Sequence, residues 1–219
     1  QVILYLKRSG RYFPMFDTYL ERFNLPKDLK YVSVAESALY MSRSPVGAVG
    51  LWQIMPETAK TLGLRIDDYV DERKDPEKST VAGLQYLSEA HNQFKSWNMA
   101  IAAYNRGKNG IVDDSEYQMK DNYFDLYLNE ETSRYYFRIL VIKEMMEHPE
   151  KYGFDTKTIY KYEDLDSKEI IVKTAISNLA QWAKEQGTDY KTVKLLNPWI
   201  LKRELNKPVS DSYKIRVPA

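Results

Sequence analysis

Glu36 is the residue whose type and spacing point most directly to chemistry. It lies in a helical pattern with Leu29, Val32 and Leu39, which should face the core, so its carboxyl group is expected within an apolar stripe. A carboxylate buried without a partner is strongly disfavoured, or holds its proton more tightly, which raises its pKa. A general acid needs such a raised pKa near neutral pH. Two alternatives for Glu36 are that its carboxylate pairs with an Arg or Lys side chain, or that it lies at the solvent edge of the stripe.

The composition of the chain excludes most other kinds of chemistry. The 219 residues include no Cys and two His, which excludes thiolate nucleophiles and cysteine metal sites. His91 and His148 have no ligand-spaced neighbours, so we predict no metal and no cofactor. A net charge of +1 argues against a nucleic-acid partner. Carboxylates, hydroxyls and amides remain, and the 18 Tyr and 4 Trp residues suit either stacking on sugars or core packing.

The elements that must position Glu36 are predicted mainly as helices, separated by Pro, Gly and Asn residues. The first predicted helix carries Phe13, Phe16, Leu20 and Phe23 and ends at Leu25-Pro26, and the second carries Glu36. A short helix follows from Met55 to Gly63, then a helix that Asp75 caps and that runs to Phe94, and a helix from Asn98 to Tyr104. The last predicted helix carries Tyr135, Ile139, Ile142 and Met146 on a single face.

Beyond Tyr152 the pattern predicts a small βααβ module, with strands at 170–172 and 213–217 and helices at 175–185 and 188–196. We therefore predict a mainly α protein with a helical domain at 1–153, a linker at 154–167 and the module at 168–219. No apolar run approaches the roughly 18 residues that span a bilayer. Because the chain begins at Gln1 without a targeting pattern, it is expected to be a processed or trimmed form, and a signal or lipid anchor is not in this chain.

Four groups of residues resemble, in order along the chain, the motifs of family 1 lytic transglycosylases. They are Ala35-Glu36-Ser37-Ala38-Leu39; Ser44-Pro45-Val46-Gly47-Ala48-Val49-Gly50-Leu51-Trp52-Gln53-Ile54-Met55-Pro56; Ala102-Ala103-Tyr104-Asn105-Arg106-Gly107; and Glu131-Thr132-Ser133-Arg134-Tyr135. Two further segments are similar to the membrane-bound lytic transglycosylase D branch, namely Arg8-Ser9-Gly10-Arg11-Tyr12 and Asp71-Glu72-Arg73-Lys74-Asp75-Pro76. The similarity covers about residues 7–153.

The resemblance implies a goose-type lysozyme-like helical catalytic domain that cleaves peptidoglycan without water. The β-1,4 bond between N-acetylmuramic acid and N-acetylglucosamine would be broken and a 1,6-anhydromuramic acid end formed, with Glu36 as the single general acid and base. Two-carboxylate glycosidases need a second group as nucleophile or to activate water. We expect no second acidic residue from within the motifs, in agreement with a single-acid enzyme.

The resemblance also supplies candidate substrate-binding residues, each with a plainer alternative. Ser37 and Ser44 are expected to donate to sugar or to Glu36, or to act as local caps. Gln53 suits an acetamido group, with a surface amide as the alternative. Tyr104 and Tyr135 are expected near Glu36 and the glycan, with core packing as the alternative. Asn105 is expected to bind sugar or to cap a helix end. Trp52 is expected in the core, Gly47 and Gly50 make the turn or admit a sugar, and Arg73 and Asp75 position a loop and cap a helix.

One stretch departs from the family pattern. Residues Tyr40-Met41-Ser42-Arg43 replace a common Asn-Pro-containing segment, and one residue is missing between the Glu-Ser pair and the serine matched by Ser44. This departure affects the role of Ser44 and the shape of the loop, whereas the match at Glu36 is unaffected.

Residues 168–217 resemble a diverged lysin motif, a module that binds N-acetylglucosamine-containing glycans. The match includes Leu179-Ala180-Gln181-Trp182-Ala183, Gly187, Tyr190, Leu195 and Asn197-Pro198, while Lys173-Thr174-Ala175-Ile176 replaces the usual Gly-Asp-Thr-Leu. Two interpretations stay open: a glycan-binding module, or a structural appendage that packs on the catalytic domain.

Three functions remain on these grounds: a lytic transglycosylase, a hydrolytic muramidase or chitinase on the same fold, and a non-catalytic peptidoglycan-binding protein. The expected partner is the peptidoglycan glycan strand. Because that substrate lies outside the cytoplasm, we expect the cell envelope, in the periplasm or associated with the outer membrane.

Overall fold

A computed structural model describes all 219 residues, and the chain is mainly helical, as predicted. Seven helices form the N-terminal part: α1 (Val2–Arg22), α2 (Lys30–Ser37), α3 (Pro56–Thr61), α4 (Pro76–Phe94), α5 (Trp97–Arg106), α6 (Lys108–Gln118) and α7 (Glu130–Glu147). Short 3-10 turns lie between them at Lys27–Leu29, Glu72–Lys74 and Tyr123–Asp125, and two more follow α7 at Pro149–Tyr152 and Thr156–Thr158. None of these helices is both long enough and apolar enough to cross a membrane.

Polar caps fix where the two longest helices after α1 begin. The Asp75 side chain accepts hydrogen bonds from the backbone N–H groups of Glu77 and Lys78, at 2.9 and 3.0 Å, which is the cap predicted for α4. The Asn129 side chain accepts from the N–H of Thr132 at 2.9 Å and starts α7. These caps set the register in which α4 and α7 turn their apolar faces inward.

Trp52 lies at the centre of the helical part, as predicted. Its ring is fully buried against Phe16, with ring centroids 5.3 Å apart, and its indole N–H donates to the Thr80 hydroxyl at 3.0 Å. A Cβ atom on Gly83 would lie 2.7 Å from this ring, so α4 can approach the tryptophan only with glycine at that position. The predicted apolar face of α7, through Tyr135 and Ile139, is buried on the same core.

Two helices differ from the prediction. Helix α6 was not expected, because its polar sequence has no apolar stripe and buries only Ile111. Helix α2 ends at Ser37, so Leu39 lies beyond it, although its side chain still packs in the core.

The C-terminal module has the predicted βααβ order. Strands β1 (Ser167–Val172) and β2 (Tyr213–Pro218) pair antiparallel, with Ser167 opposite Pro218 and Val172 opposite Tyr213. Between them lie α8 (Leu179–Glu185) and α9 (Tyr190–Leu196). Both helices start later than predicted, because the side chains of Asn178 and Asp189 cap them. The domain boundaries at 153 and 168 stay a prediction.

The module packs directly on the helical part. Val70, from the segment between α3 and α4, is 1% exposed and lies in the apolar core of the module, where it forms a β-bridge with Ile200. The chain between the two parts follows α1: the N–H of Tyr162 donates to the carbonyl of Lys7 at 2.7 Å. The two parts are therefore held together by side-chain and backbone contacts as well as by the connecting chain.

Candidate active site

Glu36 lies in the last turn of α2, next to a backbone that turns sharply. Ala38 and Leu39 both have left-handed conformations, with φ values of 55° and 56°, and Gln53 in the facing loop has φ 48°. Non-glycine residues adopt such angles at a cost of about 1–3 kcal/mol each. The core holds this shape through the buried Leu39 side chain, and the turn leads the chain away from Glu36.

The Glu36 carboxyl group is partly buried and has a neutral partner. The Tyr135 hydroxyl, from α7, donates a hydrogen bond to Glu36 Oε1. Burial raises the pKa of Glu36 to about 7, an effect that the Tyr135 hydrogen bond and the Arg138 charge oppose and the Glu131 charge reinforces. No Lys or Arg forms an ion pair with Glu36, so the alternative of a paired carboxylate does not hold. Glu36 can therefore hold a proton near neutral pH.

Tyr104 and Tyr135 are hydrogen-bond donors that stay protonated. Burial and the nearby Glu36 charge raise the pKa of both hydroxyls well above the ordinary tyrosine range. Tyr135 donates to Glu36, whereas Tyr104 donates to the backbone carbonyl of Trp52 at 2.7 Å. The two predicted tyrosines are thus brought to Glu36, one by direct contact and one through the loop that faces it.

The loop at residues 44–54, called here the active-site loop, uses the predicted serines and glutamine for its own structure. The buried Ser37 hydroxyl lies 2.7 Å from the carbonyl of Leu51 and 3.1 Å from that of Ser33, with no bond to Glu36. The Ser44 hydroxyl accepts from the N–H of Ala48 at 3.0 Å, as a local cap. The Gln53 amide donates to the carbonyl of Gly50 at 2.8 Å. Sugar binding by these three side chains stays a prediction.

Gly50 shows why the loop needs glycine there. Its φ is +89°, and a Cβ atom would lie 2.0 Å from the carbonyl oxygen of Arg73. Gly47 has φ +95° with open space around it, so there only the turn requires glycine. The Arg73 guanidinium donates to the carbonyls of Gly47 and Ile54, at 2.9 and 3.2 Å, in the loop-positioning role predicted for it.

A second carboxylate, Glu131, is close enough to Glu36 for its charge to raise the pKa of Glu36. The expectation that the motifs contribute no second acidic residue is therefore wrong, because Glu131 opens the motif that ends at Tyr135. The Asn105 amide donates to Glu131 at 3.2 Å and its carbonyl oxygen accepts from the Thr132 hydroxyl at 2.8 Å. Asn105 thus ties the end of α5 to the start of α7. The signal that could have found Glu131 is its spacing of four residues before Tyr135, one helical turn.

A cavity of about 270 Å³ adjoins this group of residues. Its wall includes Gln53, Tyr104 and Asn105 among the predicted residues, and also Met55 and Tyr86. Glu36, Ser37, Ser44 and Tyr135 are not on its wall. An aromatic and amide lining without a dense charge suits a neutral, hydroxyl-rich ligand such as a sugar ring.

Two family models match the chain. The model described as the transglycosylase SLT domain matches residues 15–126, and the model described as the soluble lytic transglycosylase C-terminal LysM-like domain matches residues 168–219. The chain belongs to the SLT transglycosylase family. The predicted family is confirmed, and so is the predicted fold class of a lysozyme-like helical domain with a lysin-motif-like module.

Curated relatives agree with this membership. The membrane-bound lytic murein transglycosylase D of Escherichia coli strain K12 is 25% identical over 171 residues, which are 75% of this chain and 36% of that protein. A putative tributyltin chloride resistance protein of Alteromonas sp. strain M-1 is 35% identical over 107 residues, 48% of this chain and 52% of that protein. The chain thus spans about a third of the length of the E. coli relative.

Solved structures share the fold. The 70 kDa soluble lytic transglycosylase SLT70 of Escherichia coli aligns with a TM-score of 0.52 at 25% identity, over 68% of this chain and 26% of that one. An inactive mutant of the lytic transglycosylase Slt of Pseudomonas aeruginosa aligns with a TM-score of 0.50 at 23% identity, over 69% and 26% of the two chains. The second likeness concerns the fold alone.

Proposed function

We propose that this SLT family member is a peptidoglycan lytic transglycosylase, with Glu36 as its single general acid and base. The observation that carries the proposal is the state of Glu36: a carboxyl group with a pKa of about 7, no cationic partner and a tyrosine hydroxyl on one oxygen. Such a group is protonated in a useful fraction of molecules near neutral pH and can return to that state within a catalytic cycle. Family membership and the lytic murein transglycosylase among its relatives support the same activity.

The proposed reaction uses the same carboxyl group twice. Protonated Glu36 donates its proton to the glycosidic oxygen between N-acetylmuramic acid and N-acetylglucosamine, and the C1–O bond breaks. The resulting carboxylate then accepts the proton of the C6 hydroxyl as O6 bonds to C1, which closes the 1,6-anhydro ring and restores the acid. Because Tyr135 occupies Oε1, the other carboxyl oxygen, Oε2, would face the substrate.

The remaining predicted residues would bind the glycan. Tyr104, Gln53 and Asn105 border the cavity, where hydroxyl and amide groups can select an acetamido substituent. Ser37 and Ser44 would act through the backbone of the active-site loop. The expected partner is therefore a peptidoglycan glycan strand, and the expected location is the cell envelope, where that polymer lies.

Glu131 favours one competing function, a hydrolytic muramidase or chitinase. A second carboxylate near the acid can activate water, as inverting and retaining glycosidases require. Its hydrogen bond from Asn105 and its place at the start of α7 are equally consistent with a structural role. The products distinguish the two reactions, because the 1,6-anhydro end is lighter by one water than the hydrolysed end.

The proposal is tested by mass spectrometry of purified peptidoglycan digested with the wild-type chain, Glu36→Gln and Glu131→Gln. We expect anhydro products from the wild type, and a loss of about 10²–10⁴-fold in rate for Glu36→Gln, the usual contribution of a general acid or base. Glu131→Gln is the matched control and should keep anhydro products within several-fold of the wild-type rate. Hydrolysed ends, or equal losses in both variants, would assign the chain to the two-carboxylate class; binding without cleavage would indicate a non-catalytic protein.

A further inference from the structure

We propose that the C-terminal module, residues 167–219, braces the active-site loop, and that Arg73 and Asp71 are the positioning residues between them. The inference rests on the proposed function, because it assigns the module a part in that site. It also chooses between the two interpretations of the module, as a glycan-binding unit or as a structural appendage. Four successive groups of contacts carry it.

The first group joins the module to the segment at residues 65–73. The N–H of Asp71 donates to the carbonyl of Trp199 at 2.9 Å, and the N–H of Leu201 donates to the carbonyl of Tyr69 at 2.8 Å. Between these two bonds the side chain of Val70 is buried in the module's own core. The segment is thus joined to the module by an isolated β-bridge flanked by two backbone hydrogen bonds and by a buried side chain.

The second group pins the same segment from its other end. The Arg65 guanidinium donates to the Tyr213 hydroxyl at 3.0 Å and to the Asn206 side-chain oxygen at 3.2 Å, both in the module. Nearby, Arg216 forms an ion pair of 2.6 Å with Glu77 at the start of α4. The module therefore contacts the segment on both sides of Val70.

The third group passes from the segment to the active-site loop. Arg73 makes a bidentate pair with Asp71, with distances of 2.9 and 2.8 Å, and the two residues are 4% and 6% exposed. The remaining guanidinium nitrogen donates to the carbonyls of Gly47 and Ile54, near the start and at the end of the loop. The planar guanidinium presents its donors in a fixed fork, so one side pairs with Asp71 while another nitrogen reaches the loop; the single ammonium group of a lysine lacks this geometry.

The fourth group passes from the loop to the residues around Glu36. The carbonyl of Leu51 accepts from Ser33 and Ser37 on α2, at 2.8 and 2.7 Å. The carbonyl of the next residue, Trp52, accepts from Tyr104. The loop therefore fixes both the end of α2 that carries Glu36 and one of its tyrosine neighbours.

One loop of the module, between α9 and β2, is used by this docking, because Trp199, Ile200 and Leu201 pair with the segment. The β-bridge between Ile176 and Leu205 is internal to the module and joins its β1–α8 loop to this docked loop. The contacts of the docked loop with the segment support the brace.

The test loosens the docking in the full chain and follows the loop by hydrogen–deuterium exchange. The variant Arg65→Met/Val70→Ala removes the Arg65 side-chain bonds and part of the Val70 side chain, and neither residue forms a hydrogen bond with the loop or with Glu36. Lys78→Met is the matched control, because Lys78 pairs with Glu72 of the same segment and its side chain forms no hydrogen bond or ion pair with the module or the loop. We expect exchange at residues 69–71 and 199–201 to accelerate in the double variant, and exchange at 49–54 to accelerate with it by roughly 3- to 30-fold, the range of couplings between contacting elements.

A second variant tests the positioning residue by kinetics. Arg73→Lys keeps the charge next to Asp71 but loses the forked contact, so we expect kcat to fall by roughly 3- to 30-fold with KM nearly unchanged. The basic limb of the pH–rate profile should also move to lower pH, because a looser loop admits water to Glu36. A merely structural role would lower the melting temperature and leave the profile where it is.

Two outcomes overturn the brace. One is accelerated exchange at 69–71 and 199–201 with no change at 49–54; the other is no change at any of these residues, which would mean that the docking does not depend on the stated contacts. A wild-type chain that cleaves nothing would refute the proposed function, and the exchange experiment would still decide the brace.

Discussion

Glu36 and Asp71 are two carboxylates of the helical part that the fold places in opposite surroundings. Asp71 is almost fully buried and receives a bidentate ion pair from Arg73 at 2.8–2.9 Å. Glu36 is partly buried and receives one hydroxyl, from Tyr135, with no cation in contact. Burial raises the pKa of Glu36 to about 7.

The difference separates a group that holds structure from a group that moves a proton. A buried carboxylate held by a bidentate guanidinium fixes the position of its neighbours, which suits Asp71 and Arg73 as positioning residues. A carboxylate left with a neutral partner destabilises its own charged form, and that same effect poises it as an acid near neutral pH. Removing the Arg73 charge that compensates Asp71 should therefore destabilise the fold, whereas removing the charge of Glu36 should stabilise it.

The largest effect is expected from breaking the Asp71 pair. Arg73→Met leaves the Asp71 carboxylate buried and alone, so we expect the free energy of unfolding to fall by about 3–5 kcal/mol in urea titrations. Asp71→Asn/Arg73→Met removes both charges and is the matched control, with a smaller loss than the single variant. A loss below about 1 kcal/mol in Arg73→Met would mean that this pair is not a structural element.

An effect of opposite sign is expected when charge is removed at Glu36. The folded-state pKa of about 7 exceeds the ordinary 4.5, so the group's full contribution to stability is present below pH 4.5 and is lost as pH rises through about 7. Glu36→Gln cannot ionise and should therefore be more stable than the wild type at pH 8, on the order of 3 kcal/mol. The two proteins should be nearly equal at pH 4, which serves as the internal control. A stability difference that does not change between pH 4 and pH 8 would contradict the raised pKa.

A smaller effect is expected at the hydroxyl partner. The Tyr135 hydrogen bond lowers the pKa of Glu36 against the larger effect of burial, so Tyr135→Phe should raise that pKa further. Because cleavage requires protonated Glu36, the basic limb of the kcat/KM profile should move to higher pH. Tyr136→Phe, one residue away and not bonded to Glu36, should leave the limb in place. A shift to lower pH in Tyr135→Phe would reverse the role assigned to this bond.

Local signals in the sequence predicted the parts of the molecule that local rules control. Asp75 before Pro76 predicted the start of α4, and the spacing of Tyr135 and Ile139 predicted the buried face of α7. Glu36 in an apolar pattern predicted its raised pKa, because burial is read from periodicity. The polar helix α6 has no such pattern and was missed.

Local sequence rules do not predict contacts between segments that are distant along the chain. The sequence predicts that the Ser37 hydroxyl donates to sugar or to Glu36, or acts as a local cap, and does not indicate its bond to the carbonyl of Leu51, 14 residues away along the chain. Nothing in the pattern of residues 65–73 indicates that Val70 belongs to the core of the module. The sequence does not indicate that the Glu131 charge lies near Glu36, because that proximity depends on how α7 packs against α2.

We infer that Glu36 holds its proton near neutral pH, and a ¹³C NMR titration of its carboxyl carbon measures this property. The wild-type chain is labelled on glutamate side chains, and the Glu36 signal is assigned by its absence in Glu36→Gln. The surroundings described here predict a titration midpoint at about pH 7. A midpoint near the ordinary glutamate value of 4.5 would contradict this inference and leave the chain without its general acid.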